Sequence, residues 1–287
     1  MKSVVIFLFT LLIVNVCIAI NPINVPVEIG KDFYNIRGDW FEVIQGVKYN
    51  LRTHMSLIRL ASGKFLVIDT IEMNNELKSN IDKLTNNGSL IEAVVAVHPF
   101  HTTFFKPFYA IYNRTASGRP IRYFGTPRHL RNIKDVHWDG DLTNPSIRKL
   151  WNPEVDIQIP KATEFINPQP EESNHFSGAF AFHRPSKTVH IDDTFIYAED
   201  DGPEVALLGA KKGDLIIHPD VDNGIKQYHN APYEFRDWVY QIIKDFQFEN
   251  ILTAHCGNLI GGGYKKLQQT IDNASDLFKK LADKRKN

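Results

Sequence analysis

The chain has 287 residues, 43% of them hydrophobic and 11% aromatic, with 33 basic side chains against 33 acidic ones. That is enough material for one large layered domain, and the even charge balance excludes a nucleic-acid footprint or a surface built for anionic lipid. Only two cysteines, Cys17 and Cys256, are present, which excludes a disulfide-stapled scaffold and leaves stability to a big core.

In chain order, Lys2 precedes an almost wholly apolar run from Val4 to Val16, and Cys17-Ile18-Ala19 sets small residues before a cleavage point. This is the pattern of a secretory leader, too short for an easy membrane span. The expectation is a signal peptide at 1–19, one domain at 20–287, a secreted, extracellular product, and no membrane association after leader removal. Asn87, Asn113 and Asn273 stand in Asn-x-Ser/Thr sequons, acceptors for glycosylation on that route. Loss of Cys17 with the leader leaves Cys256 alone, and it reads as a small buried hydrophobe.

Trp40–Ile44 reads as a strand, and His54–Leu60 and Lys64–Asp69 as a hairpin turned at Ala61-Ser62-Gly63. Asn74–Leu84 carries Leu77, Ile81 and Leu84 at helical spacing and stops at Asn87-Gly88. Ile91–Val97 is a buried strand ending on His98-Pro99, and Thr103–Tyr112 reads as helix. Ile121–Gly125 is a strand, and Thr126-Pro127 opens a helix through Leu130. A second hairpin is expected from Phe176–His183 and Thr188–Asp192, its flanking His183 and His190 reading as surface residues. Ala231–Phe246, capped by Asn230, is the clearest amphipathic helix, with Phe235, Trp238, Val239, Ile242 and Ile243 in one stripe. Asn250–Ala254 is a strand ending on His255, and one closing helix is expected over Tyr264–Ala282. Strands mixed with outer helices imply a layered α/β or α+β sandwich.

Three histidines stand at strand boundaries: His98, His175 and His255, while Asp193 follows another strand. Strand ends are where side chains converge into a cleft, and imidazole with carboxylate is a ligand set for a borderline metal. These four are therefore candidates for one site.

The same residues carry a resemblance to the metallo-β-lactamase superfamily over nearly the whole mature chain. Val94–Thr103 is similar to its strand followed by His-x-His-x-Asp-His, and His175-Phe176-Ser177-Gly178 to its second His motif. Asp192-Asp193-Thr194-Phe195 resembles Gly-Asp-Thr-Leu-Phe, which makes Asp193 the equivalent of the bridging aspartate. Ala254-His255-Cys256-Gly257 resembles the final Gly-His-Gly. The stretch from Met55 through Arg128 also resembles a branch with a Pro-Phe-His-Thr core. The resemblance implies a four-layer αββα sandwich.

Three of seven family ligands are replaced, by Phe100, Thr102 and Thr103. Phe cannot bind zinc, and a neutral hydroxyl cannot replace a carboxylate beside a dication. At most one metal is then expected, zinc or iron, held among His98, His175, Asp193 and His255, with Asp193 and His255 as the catalytic pair. His101 either swings in as a substitute, if the turn is re-registered around Pro99, or packs against the loop. Two functions follow. One is a hydrolase of an ester, lactone, thioester or phosphoester. The other is an inactive relative without metal that keeps the cleft for a small ligand or a structural role, its walls including Phe100, Phe104 and Phe105.

Overall fold

A computed structural model describes residues 23–171 and 174–286, so the leader expected at 1–19 lies outside the described residues. The first half folds as β1 (Val27–Gly30), β2 (Phe33–Gly38), β3 (Phe41–Ile44), β4 (Val47–Asn50), β5 (Thr53–Arg59), β6 (Phe65–Ile68), α1 (Asn75–Thr85), β7 (Ile91–Val95), α2 (Phe105–Ile111), β8 (Arg122–Gly125), α3 (Pro127–Asn132) and β9 (Gly140–Asp141). The second half adds α4 (Pro145–Arg148), β10 (Val155–Gln158), β11 (Phe180–His183), β12 (Thr188–Asp192), β13 (Phe195–Tyr197), α5 (Pro203–Leu207), β14 (Leu215–Ile217), α6 (Val221–Gly224), α7 (Ala231–Phe246), β15 (Asn250–Thr253), β16 (Asn258–Leu259), α8 (Gly263–Asn273) and α9 (Ser275–Lys284).

A seven-stranded sheet runs β1-β2-β5-β6-β7-β8-β9 and a five-stranded sheet runs β10-β11-β12-β15-β16. Period-two alternation decides what lies between and outside them. On β6, Phe65 and Val67 meet Leu77, Ile81 and Phe108 of the outer helices, while Leu66 and Ile68 face the other sheet. On β11, Phe180 and Phe182 pack under α7 and α8, while Ala181, with Ala179 just before the strand, joins the layer between the sheets. Three apolar layers thus alternate with two sheets, the αββα sandwich expected.

Local capping follows the residues. Asn74 accepts from the Leu77 amide at 2.8 Å, and Asn86 in the left-handed region ends α1. Asn230 makes no side-chain cap bond, because its own backbone is already helical. The closing helix is two helices rather than one. The Ser275 hydroxyl donates to the Asp272 carbonyl at 2.7 Å, competing with the helix ladder where α8 ends.

Two further expectations change. Trp40–Ile44 joins neither large sheet; β3 pairs with β4 in a separate hairpin. The sheet's first strands are β1 and β2, whose inward face carries the polar Asn35 and Arg37 and so lacks an apolar alternation to read. His183 and His190 are buried, at 1% and 0% exposure, because β11 and β12 are inner strands of their sheet.

Candidate metal centre

Each strand-end motif delivers its residue to one place. After β7, the Val97 amide donates to Asp69 Oδ1 at 2.9 Å, and the chain turns tightly, with the His101 amide donating to the His98 carbonyl at 3.2 Å. The His129 ring bonds the His101 carbonyl at 3.2 Å from the other side. This is the re-registered turn, and it swings His101 inward.

Asp193 is the hub. His101 Nε2 lies 3.0 Å and His98 Nε2 3.6 Å from its Oδ2, His175 Nδ1 lies 3.8 Å from the same oxygen, and His255 Nε2 lies 3.3 Å from Oδ1. The five residues singled out in the sequence therefore come together. They are not equivalent. His98 is fully buried and has both nitrogens engaged: Nδ1 accepts from the Phe100 amide at 3.3 Å, and Nε2 donates to the His175 carbonyl at 2.9 Å. Its ring packs close on Gly178, where a Cβ would stand 3.1 Å from the imidazole, a tight contact. His175 is the outermost, its ring stacked on Phe100 at 4.7 Å.

His255 is differently placed. Its Nδ1 lies 2.6 Å from the Arg52 carbonyl, so that nitrogen carries the proton and Nε2 presents a lone pair. Burial lowers its pKa, which keeps the ring neutral. A lone pair thus points at a carboxylate oxygen, two acceptors in contact with nothing between them. Both Asp193 oxygens are buried and lack a hydrogen-bond partner among the described residues. A cation at this point would satisfy both acceptors, and the His–carbonyl bond behind it is the usual outer support of a metal-bound imidazole. His101, Asp193 and His255 place their donor atoms within 4.8 Å of one another. The residues present fit a metal.

Sequence reasoning missed Asp192. Neighbours on a strand point to opposite faces, but Asp192 sits at φ 55°, where the register of β12 against β15 shifts. This left-handed residue brings both carboxylates to His101, with Asp192 Oδ2 at 3.1 Å from its Nδ1. Burial alone would lower the His101 pKa, but the two carboxylates override it and hold the ring well above the usual histidine range. Burial pushes Asp192 up to about 7.

Behind Asp192 lies a second group, also missed. His54 Nε2 approaches Asp192 Oδ1 at 3.3 Å; Asn35 Nδ2 lies 3.4 Å from His54 Nδ1 and donates to Ser56 Oγ at 3.1 Å. Ser56 Oγ contacts His190 Nδ1 at 3.0 Å, and His190 Nε2 contacts Asp69 Oδ2 at 3.1 Å. The His54 and His190 rings stack at 4.0 Å with 20° between planes. Lone pairs lie in the ring plane, so nearly parallel stacked rings cannot converge on one ion, and both His190 nitrogens are already bonded. This group is a hydrogen-bonded network between the sheets.

Above the Asp193 cluster is a pocket of about 110 Å³ lined by Trp40, Phe100, Phe104, Thr70, Glu42 and the outward edges of His101, His175 and His255. Phe105, expected as a third aromatic wall, is instead buried in the layer under α1 and α2.

No family model matches the sequence, and no curated protein matches it. Solved structures do. The chain is similar to VMB-1, with a TM-score of 0.54 at 10% identity, covering 87% of this chain and 97% of that one. It is similar to the metallo-β-lactamase FIM-1 from Pseudomonas aeruginosa, solved in a mono-zinc form, with a TM-score of 0.51 at 11% identity over 87% of this chain and 95% of that one. A metallo-β-lactamase from Hirschia baltica gives a TM-score of 0.52 at 12% identity over 86% of this chain and 96% of that one. The chain has the metallo-β-lactamase fold; at such identities the likeness concerns architecture alone.

Proposed function

We propose that the chain is an exported hydrolase with one metal ion, zinc or iron, held by His101, Asp193 and His255, with His98 and His175 closing the site around them. The observation that carries this is the contact of His255 Nε2 with Asp193 Oδ1 at 3.3 Å, two acceptors that repel without a cation between them. Three protein ligands with a position left for water is a catalytic zinc arrangement. FIM-1, of the same fold, was solved in a mono-zinc form.

A bound ion would lower the pKa of a water toward neutrality and polarise the oxygen of a carbonyl or phosphoryl group. The chain's own residues do the rest. Asp192 Oδ2 stands 3.1 Å from His101 Nδ1, on the far side of the ring, leaving Nε2 toward Asp193. His98 ties the His175 backbone to the loop. The scissile bond belongs to an ester, lactone, thioester or phosphoester. Export rests on the leader pattern at 1–19 and agrees with the sequons.

One observation favours the second reading, an inactive ligand-binding relative. A His101 imidazolium lying 3.1 Å from Asp192 Oδ2 and 3.0 Å from Asp193 Oδ2 balances much of the buried charge without a metal. Elemental analysis of protein purified from a secreting host separates the two. About one equivalent of metal, lost in His101→Ala and in Asp193→Ala, is the expected result. Substoichiometric metal that neither change alters would leave the metal-free reading.

A further inference from the structure

His101 reaches Asp193 because the chain turns it inward, and its backbone is held on both sides of the ring. Its amide donates to the His98 carbonyl at 3.2 Å, and its carbonyl accepts from His129 Nε2 at 3.2 Å. His129 lies on α3, 28 residues away, and is fully buried. A carbonyl oxygen can only accept, so Nε2 carries a proton. Nδ1 lies 2.9 Å from Thr126 Oγ1. Burial lowers the His129 pKa to about 4, so the ring is neutral and Nδ1 accepts from the Thr126 hydroxyl. One tautomer is thereby fixed, with its donor on residue 101.

The ring is also fixed in place. Phe105 meets it edge-on at 4.8 Å and Trp138 at 5.4 Å. A Cβ on Gly125 would stand 2.9 Å from His129 Cβ and from the Trp138 ring, closer than side chains pack. Thr126 caps α3 by accepting from the His129 amide at 3.4 Å, so it holds the same residue at its main chain and at its ring. Phe105, Thr126, His129 and Trp138 do not line the pocket. An apolar ring would fill this slot without burying two polar nitrogens; what the imidazole adds is the bond to residue 101.

We propose that His129 is a positioning residue for the metal centre: its Nε2–H holds the His101 carbonyl and so keeps the His101 ring between Asp192 and Asp193. The inference deepens the one-metal reading and rests on it for metal affinity, while the placement of the His101 ring stands by itself.

Two variants of the full chain separate the bond from the packing. His129→Phe keeps a flat ring against Phe105 and Trp138 but has no donor, whereas His129→Gln carries an amide donor at a similar reach. Zinc affinity per folded molecule is read by competition with a chromophoric chelator. It is expected to fall about ten-fold in His129→Phe, the lower end of the cost of losing outer support of a ligand, and to recover to within about three-fold of the parent in His129→Gln. Both variants are expected to unfold at lower denaturant, and a purely structural role would stop there. The ring ¹⁵N resonances of His101 are then followed in chelator-treated protein, assigned as those lost in His101→Ala. They are expected to shift in His129→Phe and to keep the parent positions in His129→Gln. A folded His129→Phe with parent His101 resonances overturns the proposal, whatever its zinc affinity, and so does an equal shift in both variants. A parent chain that binds no zinc sinks the one-metal reading, and the His101 resonances then decide this one alone.

Discussion

Two histidine–aspartate groups lie side by side in this molecule, joined through Asp192, and their surroundings make them different objects. Around Asp193 the rings of His101, His175 and His255 reach the pocket, and the lone pair of His255 faces a carboxylate oxygen across 3.3 Å. Around His190 both of its own nitrogens have partners, its ring is stacked on His54, and the group is sealed between the sheets. The same residue types thus serve as an unsatisfied site in one place and as a satisfied joint in the other. Residue identity does not separate ligand from strut; the direction of lone pairs does.

The largest effect expected from breaking this contrast is Asp193→Ala. Hydrolysis is predicted to fall about a thousand-fold with the loss of a three-ligand metal site, measured alongside metal content. His190→Leu should behave the opposite way. It strands Asp69 and Ser56 and is expected to cost about 3 kcal/mol in denaturant unfolding, with metal content per folded molecule unchanged. If metal is lost while stability holds, His190 belongs to the site.

Asp192→Asn probes the residue shared by both groups. Metal affinity is expected to drop 10- to 100-fold, the usual cost of losing the outer partner of a ligating histidine, with a smaller change in stability than His190→Leu produces. Titration against a competing chelator reads this. A result indistinguishable from the parent would remove Asp192 from the metal centre.

Smaller effects come from outside both groups. Burial lowers the His183 pKa from 6.5 to about 4. The unfolded chain therefore takes up a proton before the native one does. The stability from burying a neutral ring is complete above pH 6.5 and is lost as pH falls toward 4, at up to about 1.4 kcal/mol per pH unit. His183→Gln should flatten that part of the acid limb in urea titrations run at successive pH values. Smallest of all is Cys256, 4% exposed and with its thiol pushed up by burial to about 12. A disulfide reagent at pH 8 should leave it unmodified until the chain unfolds, and rapid labelling would show that the loop beside His255 opens.

Much of the fold could be read directly. The 3.6-residue stripe of α7 and the apolar run of β7 declare themselves, because each buries a regular apolar face. β2 was missed for the converse reason: its inward side chains include Asn35 and Arg37, which answer to polar partners on other strands. His183 and His190 were placed at the surface because they flank a turn, whereas their strands lie in mid-sheet. At the site, His98, His101, His175, Asp193 and His255 were identifiable from strand ends and motif order. Their ranking was not, since the engaged nitrogens of His98 and the free lone pair of His255 depend on backbone groups 77 and 203 residues away.

By itself the amino-acid order determined a layered α/β sandwich, which the motif resemblance narrowed to αββα, and the strand ends at which histidines and a carboxylate would gather, because periodic burial and short motifs are local properties. Tertiary structure alone decided that His101 turns inward, that Asp192 joins Asp193, and that His54 and His190 form a closed network. A tight turn at Pro99, a left-handed residue at 192 and two facing sheets set those directions, and lone-pair direction is a property of packing rather than of composition.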